Sequence, residues 1–317
     1  MKLEDYVLVE CIKKNSSYLT TKKDDPKKYF TKIYVREEIE NTNSMNILKN
    51  EITILNYLDH KNIVKFVEVK KTKKNFFLIF EYCNGGTLSN SLVKYMEKNG
   101  KPFPEEIVQH LMRQIIDAFQ HLENKRLVHR LLNLDNILLN YEDEEDLNNL
   151  NLMKAQVKIS DFGITVLNDY EYDDNDLFFI NTVYSDPFYP TKNEPLSNSQ
   201  KIKGKSDIWS IGVICYEMLI GKPPFDAKDK EEFLKNVEKG NVSLPSTLSL
   251  EVISFIKAML QYNANNRLNA SQLMKYDFLT KDISKFYKKE SPKETEYKFN
   301  ININKYTTVW PTKLNEI

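Results

Sequence analysis

No glycine occurs before Gly85, although the whole chain has eight. No backbone position in that stretch can take a positive φ without the cost of a Cβ atom, so a glycine-built anion cradle is excluded from it. Cysteine is also scarce. Cys11, Cys83 and Cys215 are odd in number, far apart and without metal-ligand spacing. They read as free thiols in a reducing compartment rather than as disulfides or a zinc site. Net charge is absent as well, with 45 basic and 45 acidic residues. That balance argues against a nucleic-acid footprint or a polybasic membrane surface. Long apolar runs are missing. The longest, Ile208 to Ile220, is broken by Ser210 and Glu217 and is too short to span a bilayer. Met1-Lys2-Leu3-Glu4-Asp5-Tyr6 carries no apolar core of a signal peptide. A soluble cytoplasmic protein is expected.

What is present falls into two unlike halves. Residues 6–12, 18–22, 29–35, 64–70 and 76–82 are short, β-branched or aromatic, and separated by polar turns, which predicts strands. One helix interrupts them, with Ser44 as N-cap and Ile47, Leu48, Ile52, Leu55 and Leu58 at near-helical spacing. Asn84-Gly85-Gly86 closes this region. Helices follow. Pro104 opens one whose inner face is Ile107, Val108, Leu111, Ile115, Phe119 and Leu122. Ser206 is expected to cap a second, which ends at Gly221 before Pro223 and Pro224. Ser249 begins a third. Asn136–Leu139 and Val157–Ile159 read as short strands separated by an acidic insert, Tyr141 to Leu152, expected to be a solvated loop or a contact for a basic surface. Residues 284–317 form a polar tail in which Tyr297–Ile303 has the pattern of a strand without an evident docking place.

Several short segments then occur in a telling order. Lys49-Asn50-Glu51-Ile52 precedes Leu58-Asp59-His60-Lys61-Asn62-Ile63-Val64, and Phe80-Glu81-Tyr82-Cys83 follows. Next come His129-Arg130 with Asn136, and Lys158-Ile159-Ser160-Asp161-Phe162-Gly163. Ser206-Asp207-Ile208-Trp209-Ser210-Ile211-Gly212, Gly221-Lys222-Pro223-Pro224-Phe225 and Arg267 complete the series. One tripeptide such as Asp-Phe-Gly is a weak signal; this many segments in order are a specific one. The chain resembles the eukaryotic protein kinases over about residues 6 to 280. The resemblance implies a two-lobed α+β fold, a β-rich N-lobe at 1–83 with one αC helix, and a mainly helical C-lobe at 84–283. It also implies that Leu55, His129 and Phe162 belong to an apolar spine joining the lobes, anchored by Asp207.

The same resemblance exposes departures at the chemistry. Leu131 stands where the family carries its catalytic aspartate, and Asn133 where it carries the catalytic-loop lysine. A leucine cannot accept a proton, so no catalytic residue is assigned. Glu10 to Tyr18 occupies the place of the glycine-rich loop, with Lys13 or Lys14 as point charges at its tip. The nucleotide-binding candidates implied by the resemblance are Lys32, Glu51, Glu81, Cys83 and Leu138. Phe30, where the family has alanine, shares the strand face of Lys32 and is expected to fill the adenine site above Leu138. Asn136 and Asp161 match the metal-holding pair for Mg²⁺. The activation segment carries an acidic run, Asp169 to Asp176, and its end near Asp186-Pro187-Phe188 lacks the glutamate that the family pairs with the arginine matched by Arg267.

The expectation is a pseudokinase that acts as a scaffold or allosteric partner of another protein, such as an active kinase, with no nucleic-acid or membrane partner. Two alternatives stand beside it: a divergent serine/threonine kinase with weak activity, and a non-catalytic module that senses nucleotide. ATP and Mg²⁺ are the cofactors at issue.

Overall fold

The computed structural model describes residues 5–13, 16–40, 44–163, 165–167, 205–225, 232, 235–236, 241–283 and 296–300. Its N-terminal part is an antiparallel sheet of five strands in the order β1-β2-β3-β5-β4. The strands are β1 (Tyr6–Lys13), β2 (Ser17–Lys22), β3 (Asp25–Val35), β4 (Phe66–Lys71) and β5 (Asn75–Glu81). All five expected strands are therefore found. Helix α1 (Arg36–Glu40) and helix α2 (Ser44–Tyr57) lie between β3 and β4. Leu48, Glu51, Ile54 and Leu55 are the buried residues of α2, spaced three to four apart along one stripe. Only Glu51 among them carries charge, which marks it for a specific partner.

Strand alternation divides the side chains of this sheet. Tyr29 and Ile33 join Tyr6, Phe77 and Ile79 in a small core on the outer face. Phe30 and Tyr34 pack against the main core instead. Register aligns Leu19 with Phe30, Phe30 with Phe80, and Phe80 with Phe66. Those four residues make one apolar row across β2, β3, β5 and β4 on the cleft side.

The C-terminal part is mainly helical. Strand β6 (Gly86–Thr87) leads into α3 (Leu88–Asn99), α4 (Glu105–Asn124) follows, and α6 (Lys205–Ile220) and α7 (Leu250–Met259) form the centre of the lobe. Helix α3 was not expected. Its polar sequence buries only Leu88, Ser91 and Leu92, too few to show a helical stripe. Its ends are clear in the structure: Thr87 accepts a hydrogen bond from the Asn90 amide, and Gly100 terminates it at φ 69°. Helix α4 starts after Pro104 and buries Val108, Leu111, Ile115, Phe119 and Leu122 as expected. Helix α6 contains the longest apolar run and is buried nearly all round, as befits a central helix. Gly212 lets it approach α7, since a Cβ there would lie 2.9 Å from both Leu260 and Met259. Among the described residues no helix is long and apolar enough to cross a membrane.

Three local expectations need correction or completion. Ser206 does not cap α6, because the helix already includes Lys205. The acidic insert is not a loop throughout. It contains helix α5 (Glu144–Asn149) after Asp143. Three acidic residues in its first turn favour the positive helix end. Tyr141 and Leu152 at its ends are buried and tie it to the lobe. Finally, the tail strand β12 (Glu296–Asn300) does dock, antiparallel to β11 (Asn241–Pro245).

Strand β7 (Leu127–Val128) pairs with β10 (Val166–Leu167), and β6, β8 (Ile137–Asn140) and β9 (Gln156–Ile159) form a second small sheet. The loop after α2 is tied to β9 by Val64 N–H donating to Ile159 O and Ile159 N–H donating to Asn62 O. The two parts are thereby joined beside the cleft.

Candidate active site

The cleft begins with β3. Lys32 projects on the same face as Phe30 and Tyr34, as period-two alternation requires. Its Nζ lies 3.3 Å from Glu51 Oε1 and 3.3 Å from Asp161 Oδ1. The Tyr34 hydroxyl donates to the other Glu51 oxygen at 2.7 Å, and Lys32 Nζ sits 5.3 Å from the Tyr34 ring centre. Glu51 is 2% exposed, so both of its oxygens are satisfied by these two neighbours in a nearly dry setting. Burial opposes the charge on Lys32, but the Glu51 and Asp161 carboxylates outweigh it and hold the ammonium well above the ordinary lysine range. Burial likewise pushes the Tyr34 hydroxyl up, so it stays a donor. The group is a network of charge on three elements, buried at Glu51 and still about a third exposed at Lys32 and Asp161.

Tyr34 was missed by sequence reasoning, although its position two residues beyond Lys32 placed it on the same face. Asn50 was missed too, and nothing in its sequence context singled it out. Its side-chain amide donates to Thr165 O at 2.8 Å, which ties α2 to the segment after Asp161-Phe162-Gly163.

The loop at 129–136 is held largely by its own hydrogen bonds and by Asp207. Asp207 on α6 accepts from the His129 and Arg130 amides at 2.7 and 2.9 Å. His129 is fully buried; its Nε2–H donates to Ser160 O at 3.0 Å and its Nδ1 accepts from the Leu131 amide at 3.3 Å. Burial pulls its pKa down to about 4, so the ring is neutral near pH 7. The ring of His129 meets that of Phe162 edge-on at 4.8 Å, and Leu55 and Phe162 are buried in the same core. Arg130 and Asp161 both take positive φ, 70° and 68°. Such backbone is strained for side-chain-bearing residues and persists only where the surroundings impose it.

Leu131 offers only backbone groups here. Its carbonyl accepts from the Asn136 side-chain amide at 2.7 Å. Asn133 is not an idle replacement for a lysine. Its Oδ1 accepts from the Asp135 and Asn136 amides, both at 2.9 Å, and so caps the 3₁₀ turn Leu134–Asn136. The Asn136 carbonyl in turn accepts from the Ser160 amide and hydroxyl. Asn136 and Asp161 thus flank the same short segment.

At the rear of the cleft, Glu81 holds Lys158 at 2.8 Å and accepts the Lys65 amide at 2.8 Å. Lys158, a buried cation on β9, is a third residue that sequence reasoning did not assign. Cys83 is buried, and burial followed by the nearby Glu81 pushes its thiol up to about 12, so it is not a thiolate. Leu138 is half-buried on β8, across from Thr87 and Lys158. Phe30 is half-buried, its ring 6.2 Å from Phe80, with Phe80 5.6 Å from Phe66.

A phosphate held at the β1–β2 turn would need free backbone N–H donors at the tip. The Ser16 N–H is instead used by Lys13 O at 3.1 Å, and Lys13 pairs with Ser17 directly across the hairpin. The Lys13 side chain is exposed. The Ser16 N–H is thus not available to a phosphate at this turn. Arg267 is buried against Trp209 and donates to the carbonyls of Gln261, Tyr262 and Lys205. Lys14, the acidic run Asp169–Asp176 and Asp186-Pro187-Phe188 lie outside the described residues, as does the side chain of Ser44.

Comparison with known proteins agrees with this architecture. The family model for the protein kinase domain matches residues 14–279. The chain is 32% identical to Calcium-dependent protein kinase 5 of Plasmodium falciparum over 256 residues, covering 79% of this chain and 40% of that protein. It is 28% identical to Serine/threonine-protein kinase ATG1 of Debaryomyces hansenii over 304 residues, covering 87% of this chain and 34% of that protein. It is 30% identical to Serine/threonine-protein kinase ATG1a of Arabidopsis thaliana over 239 residues, covering 74% of this chain and 34% of that protein. The chain thus spans less than half the length of these relatives.

Proposed function

The chain belongs to the protein kinase domain family and is similar to serine/threonine kinases, and we propose that it has lost phosphotransfer and works as a pseudokinase. The observation that carries this reading is Leu131. It sits in a hydrogen-bonded loop, on the frame held by Asp207 and Asn136, yet presents no group that can orient or deprotonate a hydroxyl. A general base contributes on the order of 10²–10⁴-fold to such a step. Three further features point the same way. Asn133 supplies a turn cap where the family has a cation. The β1–β2 turn uses its own N–H donor. Phe30 adds a ring to the apolar row of Leu19, Phe80 and Phe66 where the family keeps a small residue against adenine.

In this reading the Lys32–Glu51–Tyr34–Asp161 network serves shape rather than phosphate. It holds α2 against the sheet and the Asp161 segment in the arrangement of an assembled kinase. A cytoplasmic protein partner, such as an active kinase, would recognise that fixed arrangement. Phe30 above Leu138 would take the place of adenine between an N-lobe at 1–83 and a C-lobe at 84–283.

A second reading has an observation in its favour. Lys32, Glu51, Asn136 and Asp161 are all retained and face one cleft, which suits a module that binds nucleotide weakly without catalysis. The thermal midpoint of the full chain with and without Mg-ATP separates the two. No shift at millimolar Mg-ATP is expected for the pseudokinase; a saturable shift lost in Lys32→Ala establishes the sensor.

A further inference from the structure

The loop between α2 and β4, residues 58–65, is gripped from the C-lobe at several points. The Asn62 side-chain amide donates to Gln114 Oε1 at 3.0 Å and to Val157 O at 2.9 Å. Backbone bonds join Val64 to Ile159 and Ile159 to Asn62. Lys61 Nζ reaches Asp117 Oδ2 at 2.9 Å. Gln114, Asp117 and His121 are three and four residues apart on α4, so a single face of that helix meets the loop.

Two histidines sit in this contact. The ring of His60, in the loop, lies over that of His121, on α4, with centres 5.0 Å apart and planes tilted by 30°. Nδ1 of His60 accepts from the Asn62 amide at 3.1 Å, so its proton is on Nε2, which lies 3.7 Å from Asp117 Oδ2. Nε2 of His121 is buried and has no hydrogen-bond partner. The charged groups facing the pair come from every neighbouring element: Asp59 and Lys61 in the loop, Asp117 and Lys125 on α4, and Lys158 on β9. Asp117 is shared with Lys61, Lys158 is held by Glu81, and Lys125 lies 4.0 Å from the centre of the Tyr57 ring.

A proton added to His60 has to enter at Nδ1. There it breaks the Asn62 contact and disturbs the residue that ties the loop to α4 and β9. The charged form of His121 carries an N–H at Nε2, which has no acceptor in its buried place. Two charged rings at this separation also repel each other. Burial, the largest effect, draws both rings below the ordinary histidine range. His121, Lys61 and Lys158 add to that fall at His60 and Lys125 at His121, while Asp117 opposes it at both and Asp59 at His121.

We propose that His60 and His121 form a proton-sensitive clamp between the α2–β4 loop and α4, closed while both rings are neutral and loosened when either takes up a proton. The open form binds protons more readily than the closed one, so the clamp is complete above the ordinary histidine range near pH 6.5 and weakens as pH falls below it. The loop continues α2, so a loosened clamp frees the end of the helix that carries Glu51. The inference holds whether or not the cleft binds nucleotide.

The test is amide-resolved hydrogen exchange of the full chain between pH 7.5 and 5.5. The quantity read is the opening constant, the observed rate divided by the intrinsic rate at the same pH. Each proton taken up on opening raises it by up to about tenfold per pH unit. At Asn62 and Val64 of the wild type a rise of at least about fivefold is expected across the range, with a much smaller rise at Ile211–Ile214 of α6. His60→Asn with His121→Phe keeps a neutral acceptor for the Asn62 amide and an aromatic ring on α4, and its profile should be flat. His121→Phe alone leaves His60 and its turn in place and should reduce the rise. His110→Gln, one turn before Gln114, should leave it unchanged. A flat wild-type profile, an equal rise in α6, or a rise undiminished in both His121 variants would overturn the proposal. So would a rise abolished by His110→Gln.

Discussion

Replacing Tyr34 by phenylalanine removes one oxygen and one hydrogen bond, the 2.7 Å contact to Glu51 Oε2. The ring, and with it the 5.3 Å approach of Lys32 Nζ, stays. Glu51 is 2% exposed, so water cannot readily replace the lost donor. A hydrogen bond to a charged group contributes about 1.5–3 kcal/mol, and a buried acceptor left open carries its own desolvation cost in the same range. Tyr34→Phe should therefore destabilise the protein by about 1.5–3 kcal/mol. For a domain of this size that corresponds to a midpoint about 2–5 °C lower. Differential scanning fluorimetry gives the shift and urea unfolding the free energy. The cycle with Glu51→Gln then isolates the pair, with a coupling of about 1 kcal/mol or more expected. A midpoint within about 1 °C of wild type, with no coupling to Glu51→Gln, would refute the reasoning. Lys32 alone would then be enough to hold Glu51, and the four-residue network would be an accident of proximity.

Phe30→Ala opens the aromatic row between Leu19 and Phe80; because the ring is half-buried the cost should be about 1–3 kcal/mol rather than the larger value of a deep core phenylalanine. Urea unfolding checks this, and a change below about 0.5 kcal/mol, the size of a surface substitution, would show that the ring bridges nothing. Asn133→Ala and Asn133→Lys should each cost about 1 kcal/mol through loss of the cap on Leu134–Asn136; an unchanged urea midpoint in both contradicts the capping role. His129 predicts a pH dependence. Its folded pKa lies near 4, below the unfolded value of 6.5, so the unfolded chain binds more protons between these limits. Its contribution is complete above about pH 6.5 and is lost as pH falls toward 4, by at most about 1.4 kcal/mol per unit. Urea unfolding from pH 7 to 4.5 should show that fall, reduced in a His129→Phe variant; identical pH profiles would contradict it.

Much of the fold was legible because its periods are simple. The five N-terminal strands are short β-branched or aromatic runs between polar turns, α4 and α7 repeat at helical spacing, and Gly221 ends α6 with φ 82° and its N–H on Glu217 O. The candidate site was proposed from its order of motifs, and the structure places Lys32 Nζ 3.3 Å from both Glu51 and Asp161. Helix α3 escaped notice because capping and three buried residues, rather than a stripe, define it. Asn133 was read as a lost cation; only the geometry showed its oxygen on two backbone amides. Asn50 and Lys158 act on segments distant in sequence, on Thr165 and Glu81 respectively, and local pattern carries no trace of such contacts. The docking place of β12 was hidden for the same reason, since pairing between strands so far apart in the chain is settled by tertiary packing.

The most direct test of the lost-phosphotransfer reading is radiolabelled transfer from ATP by the full chain, on itself and on a mixed serine/threonine peptide library. It is run beside Asp161→Ala and Leu131→Asp. The wild type should give no more label than Asp161→Ala, with or without Mg²⁺. Wild-type transfer that disappears in Asp161→Ala would contradict the account outright and place Leu131 in a working enzyme.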